Sequence, residues 1–285
     1  MTTVVHAAAP AIEWISDTQE LHLRNDQLSY VMRIHEGMAL GQLHFGAPLA
    51  GGRSYAHLAG TFAGFSNRLG DPITLEYPTG GSGDYRIPAV VVEHADGSAA
   101  LDLRYVRHTI APGKPPIPGL PSSYVETDDE ATTIEIELRD AASGLEAYLR
   151  YTVFRDHPVV ARSARFVNAG SAPIVLRTAM SASLDLPDAN WHLVHLSGTW
   201  ARERQPVVRP LTPGRHAVSS LRGSSGHQQN PVLILQRPDT SETAGEAYGA
   251  VLAYSGNFLA EVEVDAFDTT RLRLGINPES FSWHL

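Results

Sequence analysis

Strand-type patterning persists along this chain with no helical pattern to compete with it, and that excludes most folds at once. Thr133-Ile134-Glu135-Ile136-Glu137-Leu138 alternates with a period of two, which places successive side chains on opposite faces of a strand and leaves one face wet. Further β-rich runs occupy residues 21–34, 88–92, 100–106, 145–154, 159–167, 174–184, 191–196, 232–235, 248–255, 258–267 and 271–274. No window of about ten residues carries a capped apolar stripe at helical spacing, so helix is confined to a short turn near residues 56–60. Turn residues punctuate the runs at Asn25-Asp26, Asp96-Gly97, Ser143-Gly144 and Asn168-Ala169-Gly170. The runs at 133–138, 145–154 and 159–167 are joined by a few residues each and read as a meander. Strands in this number without helical crossovers predict packed antiparallel sheets rather than a doubly wound one.

A globular chain of 285 residues buries about 75% of the surface its extended form exposes, so its core needs no cross-links. It contains no cysteine, which excludes thiol nucleophiles, cysteine-ligated zinc and iron–sulfur centres. The net charge of -9 works against a phosphate-backbone partner, and no nucleic acid is expected. Lys114 is the only lysine; genome composition and the directional hydrogen bonding of arginine explain that bias equally well. Residues 1–10 lack the basic start and apolar core of a signal peptide, and no apolar run approaches the ~20 residues of a membrane span. A cytoplasmic protein with no membrane partner is the expectation.

Five prolines stiffen the segment Ala111-Pro112-Gly113-Lys114-Pro115-Pro116-Ile117-Pro118-Gly119-Leu120-Pro121. Such a segment is either a domain boundary or an extended arm; β-pattern continuing on both sides favours an arm within one domain spanning 1–285.

Chemistry concentrates at Val194-His195-Leu196-Ser197-Gly198-Thr199-Trp200-Ala201-Arg202-Glu203-Arg204. An indole beside guanidinium and carboxylate groups suits a sugar, whose apolar face stacks while its hydroxyls donate and accept. Equally, Trp200 fills a sheet corner and the charged residues form a solvated strand. Arg202 and Arg204 share one strand face and are read as organising the Trp200 loop. Among the acids, Asp185 and Asp188 flank Pro187 and read as turn chemistry first, Asp128-Asp129-Glu130 as edge charge, and Asp84 within Gly83-Asp84-Tyr85-Arg86 as a buried ion-pair member before a catalyst. His192 and His195 are three apart, on opposite faces of a strand, which argues against a shared metal. His227-Gln228-Gln229-Asn230-Pro231 is an amide-rich loop, held by its own hydrogen bonds or open to a sugar, and His157 packs at a strand interruption. No catalytic, metal or cofactor site emerges from the residues.

Several strings carry a resemblance: Leu75-Glu76-Tyr77-Pro78, Gly83-Asp84-Tyr85-Arg86-Ile87-Pro88, Gly119-Leu120-Pro121, Ser197-Gly198-Thr199-Trp200-Ala201-Arg202-Glu203-Arg204, Arg222-Gly223-Ser224-Ser225-Gly226-His227-Gln228-Gln229-Asn230-Pro231, Tyr254-Ser255-Gly256-Asn257-Phe258-Leu259 and Gly275-Ile276-Asn277-Pro278. In their types and order the chain resembles the N-terminal domain of family 36 glycoside hydrolases, the tetrameric bacterial α-galactosidases. The resemblance implies a β-supersandwich of antiparallel sheets, galactose mutarotase-like, with little helix. It implies a catalytic (β/α)₈ barrel beyond residue 285 that supplies the aspartate nucleophile and the aspartate acid/base, two carboxyls about 5 to 5.5 Å apart in a retaining enzyme. Further implications are hydrolysis of terminal non-reducing α-D-galactosyl groups of melibiose or raffinose-type substrates, a homotetramer, an inactive isolated domain, and Trp200 as a substrate-binding residue. The family's acidic contact from the loop matching residues 55–65 has no acid here. Two other readings stand beside this one: an autonomous carbohydrate-binding module, and an aldose epimerase-like enzyme.

Overall fold

The computed structural model describes residues 11–60, 73–280 and 282–285. Turn-forming residues cut the β-rich sequence into short strands: β1 (Ala11–Ile15), β2 (Glu20–Arg24), β3 (Ser29–Ile34), β4 (Leu40–Gly46), β5 (Val90–His94), β6 (Leu103–Pro112), β7 (Ala131–Asp140), β8 (Leu145–Phe154), β9 (Val160–Asn168), β10 (Ile174–Leu186), β11 (His192–Thr199), β12 (Arg202–Pro210), β13 (Gly214–Ser219), β14 (Gln229–Gln236), β15 (Ala247–Val251), β16 (Phe258–Val264), β17 (Thr270–Ile276) and β18 (Trp283–His284). Helical structure among the described residues amounts to single 3₁₀ turns, one of them at Ala56–Leu58. The all-β, helix-poor expectation therefore holds.

The expected β-supersandwich does not. The strands divide among four small sheets, ordered β1-β2-β3-β4, β6-β7-β8-β9, β12-β11-β14-β15 and β13-β16-β17-β10-β18, with β5 added on β10. Short connections pair most strands with a sequence neighbour, so each meander closes after a few strands. Between β4 and β5 the described residues 47–60 and 73–89 form no strand that continues the first ladder. A period-two pattern reads the same whether the following strand extends a sheet or starts another, which is why the pattern did not reveal the partition.

Contacts separate two compact units, the first taking in the described residues up to Tyr85, His94–Ile174 and Leu285, the second Arg86–Glu93 and Val175–His284. In the first, Leu21, Leu23, Tyr30 and Met32 of one sheet and Ile134, Ile136, Leu149 and Tyr151 of the other are buried. At its centre the fully buried Glu76 accepts from Tyr30 Oη at 2.7 Å, Tyr151 Oη at 2.6 Å and Arg162 Nη2 at 2.5 Å. Three donors offset the loss of water around that carboxylate. Burial raises both phenols well above the ordinary tyrosine range, so they remain donors.

In the second unit Leu193, Leu233 and Leu235 share one apolar core with Val218, Phe258, Val262, Leu272 and Leu274. The opposite face of β17 carries Arg271 and Arg273. Arg271 donates to both oxygens of Asp185 at 2.7 Å each, and Arg273 pairs with Glu261. Residues 86–88 cross above them: Arg271 Nη1 donates to the Ile87 carbonyl at 3.3 Å, Arg273 Nη1 to that of Pro88 at 2.5 Å, and Ile87 N–H to Glu263 Oε2 at 2.5 Å.

Candidate functional site at the Trp200 hairpin

β11 and β12 form a hairpin paired from His192↔Pro210 to Thr199↔Arg202, which leaves Trp200 and Ala201 as its two-residue turn. Trp200 is 84% exposed, so it does not fill a sheet corner; Trp191, 2% exposed, packs in the apolar core instead, with the Arg237 guanidinium 3.6 Å from its ring centroid. Ala201 adopts φ 64°, in the left-handed region. For a residue with a Cβ that conformation costs about 1–2 kcal/mol, and two-residue hairpins normally assign it to Gly or Asn. Glu203 holds it in place: its Oε1 accepts from the Ala201 N–H at 2.7 Å. The N–H groups of Glu203 itself and of Ala201 keep this carboxyl below the ordinary glutamate range.

Beneath the turn the register shifts between Ser197 and Thr199, and Arg204 takes φ 53°. β12 therefore carries one extra residue, a bulge that increases the local twist. Gly198 faces it so closely that an added Cβ would collide with the Arg202 carbonyl oxygen, which explains the glycine in Ser-Gly-Thr-Trp. On the other side of β11, the Gln228 carbonyl accepts from the Gly198 N–H at 3.2 Å and from Ser197 Oγ at 2.9 Å. Gln229 Nε2 donates to Ser197 Oγ at 3.3 Å. The fold thus brings two sequence motifs, 197–204 and 222–231, to one end of one sheet.

Arg202 reaches Thr199 Oγ1 from its Nε at 3.5 Å. The turn itself is fixed by Glu203, the residue that strand alternation assigned to the other face; the signal missed was the positive φ at Ala201, which no local pattern discloses. At the foot of the hairpin the buried His195 accepts from Arg209 Nη2 at 2.7 Å. Burial, reinforced by that arginine, pushes its pKa down and keeps the ring neutral.

The remaining candidates lie elsewhere. Asp185 is bound by Arg271, and Asp188 by both terminal nitrogens of Arg237 at 2.6 and 3.0 Å. Asp84 is buried, and Arg86 pairs with Asp265 at 2.7 Å. Asp128-Asp129-Glu130 forms a 3₁₀ turn capped by Thr127, with Asp129 paired to Arg155. His157 is exposed, and its carbonyl accepts from Asn25 Nδ2 at 2.9 Å. No group of three His, Asp or Glu able to hold a metal occurs among the described residues. Of the loop at 55–65, residues 61–65 lie outside the described residues. Its described start rests on an acid from β2: the buried Glu20 accepts from Ser54 Oγ and from the Tyr55 N–H, both at 2.7 Å. No helix among the described residues is long and apolar enough to cross a membrane.

The model of the glycosyl hydrolase family 36 N-terminal domain matches residues 38–285. Alpha-galactosidase AgaA of Geobacillus stearothermophilus is 42% identical over 283 residues, covering 96% of this chain and 39% of that protein. The crystal structure of alpha-galactosidase AgaB from the same organism superposes with a TM-score of 0.90 at 42% identity, over 96% of this chain and 39% of that one. A variant of AgaA in complex with raffinose superposes with a TM-score of 0.89 at 41% identity, over 93% of this chain and 38% of that one. The chain therefore spans about two fifths of the length of the relatives it matches.

Proposed function

Because this chain belongs to the family 36 glycosyl hydrolase N-terminal domains, we propose that it is the accessory and assembly domain of a retaining α-galactosidase acting on terminal non-reducing α-D-galactosyl groups. The observation that carries this reading is 42% identity sustained over 96% of the chain with an α-galactosidase. In it, the catalytic carboxyls come from a (β/α)₈ barrel beyond residue 285, and the domain contributes binding surface and subunit contacts in the cytoplasm. Trp200 supplies part of the sugar wall, since an exposed indole on a constrained turn loses little freedom when a pyranose stacks on it.

Assembly into a homotetramer uses the proline-rich arm. Its root is tied to sheet β6-β7-β8-β9 by Gly113 N–H donating to the Ala131 carbonyl at 2.8 Å and Thr133 Oγ1 donating to the Gly113 carbonyl at 2.7 Å. Leu120, on the arm, stands 51% exposed, and Tyr124, just past its end, 78%. Stiff geometry lowers the ordering cost of docking such apolar groups on another subunit.

The test is an assay of the full-length protein on a nitrophenyl α-galactoside and on melibiose, with product anomers followed by NMR. Turnover with retention is expected, and Trp200→Ala should lower kcat/KM about tenfold. The 285 residues alone should hydrolyse nothing. Turnover by the purified chain would refute the division of labour, and an unchanged kcat/KM in the variant would remove Trp200 from the binding wall.

A further inference from the structure

We propose that Glu203 is the positioning residue of this site: its carboxylate, by accepting the Ala201 N–H, holds the turn in the one conformation that presents Trp200 to the galactosyl group. The inference rests on Trp200 as the sugar contact proposed above and adds what sets its orientation. Four observations converge. Ala201, with a Cβ and φ 64°, occupies a backbone state it does not adopt by preference. Glu203 Oε1 lies 2.7 Å from its nitrogen, a charge-assisted bond to a backbone donor that otherwise has water as its alternative. The bulge at Arg204, φ 53°, turns the chain so that Glu203 points back toward the turn instead of away from it as strand alternation requires. Gly198 lets the bulge close against β11, where Gln228 fixes Ser197 and Gly198.

Trp200 makes no part of the apolar core, so nothing in the interior determines its direction; the turn geometry does. Without Glu203, Ala201 is free to leave the left-handed region, and the indole swings with the peptide that joins the two residues. Glutamine at 203 retains an oxygen able to accept the same N–H, whereas alanine does not. Glycine at 201 removes the steric cost of the left-handed state and so reduces the dependence on the carboxylate.

The experiment uses the full-length protein with Glu203→Ala, Glu203→Gln, Glu203→Ala combined with Ala201→Gly, and Trp200→Ala. Amide hydrogen exchange is followed over the hairpin, together with kcat and KM on a nitrophenyl α-galactoside. Glu203→Ala should speed exchange at Ala201 and Arg202 and raise KM about fivefold, as expected for one lost hydrogen bond, with kcat little changed. Glu203→Gln and the double variant should return both readouts most of the way to wild type. Unchanged exchange in Glu203→Ala would overturn the proposal, as would faster exchange with an unchanged KM in a protein whose KM responds to Trp200→Ala. Were Trp200→Ala itself silent, the sugar-contact reading would fall, and exchange at Ala201 alone would decide whether Glu203 sets the turn.

Discussion

Arg271 and Asp185 face each other across β17 and β10, Nε and Nη2 of the guanidinium each donating to one carboxylate oxygen at 2.7 Å, and neither side chain retains more than 1% exposure. A pair removed from water this completely depends on both members, because deleting one leaves a bare charge where solvent cannot follow.

Arg271→Met should therefore destabilise the second unit by about 3–5 kcal/mol, whereas joint replacement of Arg271 and Asp185 by apolar residues of similar volume should recover most of that loss. Urea unfolding of the two variants beside wild type checks the asymmetry. Equal losses would show that the pair itself supplies stability.

Gly198→Ala should loosen the hairpin while sparing the sheets, since the new methyl meets the Arg202 carbonyl oxygen at the bulge. The expected outcome is a loss of about 1–3 kcal/mol and faster amide exchange confined to residues 197–204. Wild-type exchange over that stretch would show that the bulge shifts to accommodate a Cβ.

Acid should weaken the fold through its buried histidines. Burial, with Arg33 nearby, lowers the pKa of His35 to about 4, and burial also lowers those of His22, His108 and His195. An unfolded histidine titrates near 6.5, so between that pH and about 4 the unfolded state binds the proton that the folded state refuses. Stability is full above pH ~6.5 and declines as pH falls toward 4. His35→Gln should flatten that decline in Tm measured from pH 7 to 4; an unchanged slope would assign it to the other three rings.

Leu120→Ser with Tyr124→Ser should shift the full-length protein toward smaller species in light scattering without altering its circular dichroism spectrum. Both side chains are exposed, so the fold itself has little to lose. Unaltered assembly would detach the arm from the subunit interface.

Much of this was legible from single strands. The alternation at 133–138 is the burial pattern of β7, with Ile134, Ile136 and Leu138 buried and Glu135 and Glu137 on the wetter face, and the meander around it is β7-β8-β9. The turn at Asn25-Asp26 forms as Asn25 Oδ1 accepts from the Gln27 and Leu28 N–H groups at 2.8 Å. Sheet membership was not legible, because it depends on which edge a strand meets after a long connection. Nor was β12 expected as an apolar strand: it is exposed along nearly its whole length and shows no alternation to read. Glu203 stayed hidden for a related reason, since its role arises from two left-handed residues whose identities, Ala201 and Arg204, do not announce that conformation.

Arginine carries the positive charge of this chain almost alone, and its burial is uneven: Arg271 and Arg273 lie inside, Arg202 and Arg204 on the open hairpin. An arginine-specific protease would meet that difference as a map of entry points. Among the exposed arginines, only a cut after Arg202 would sever Trp200 from the residue that aims it. Protection of that bond would therefore report what covers the hairpin, sugar and a neighbouring subunit each leaving its own pattern.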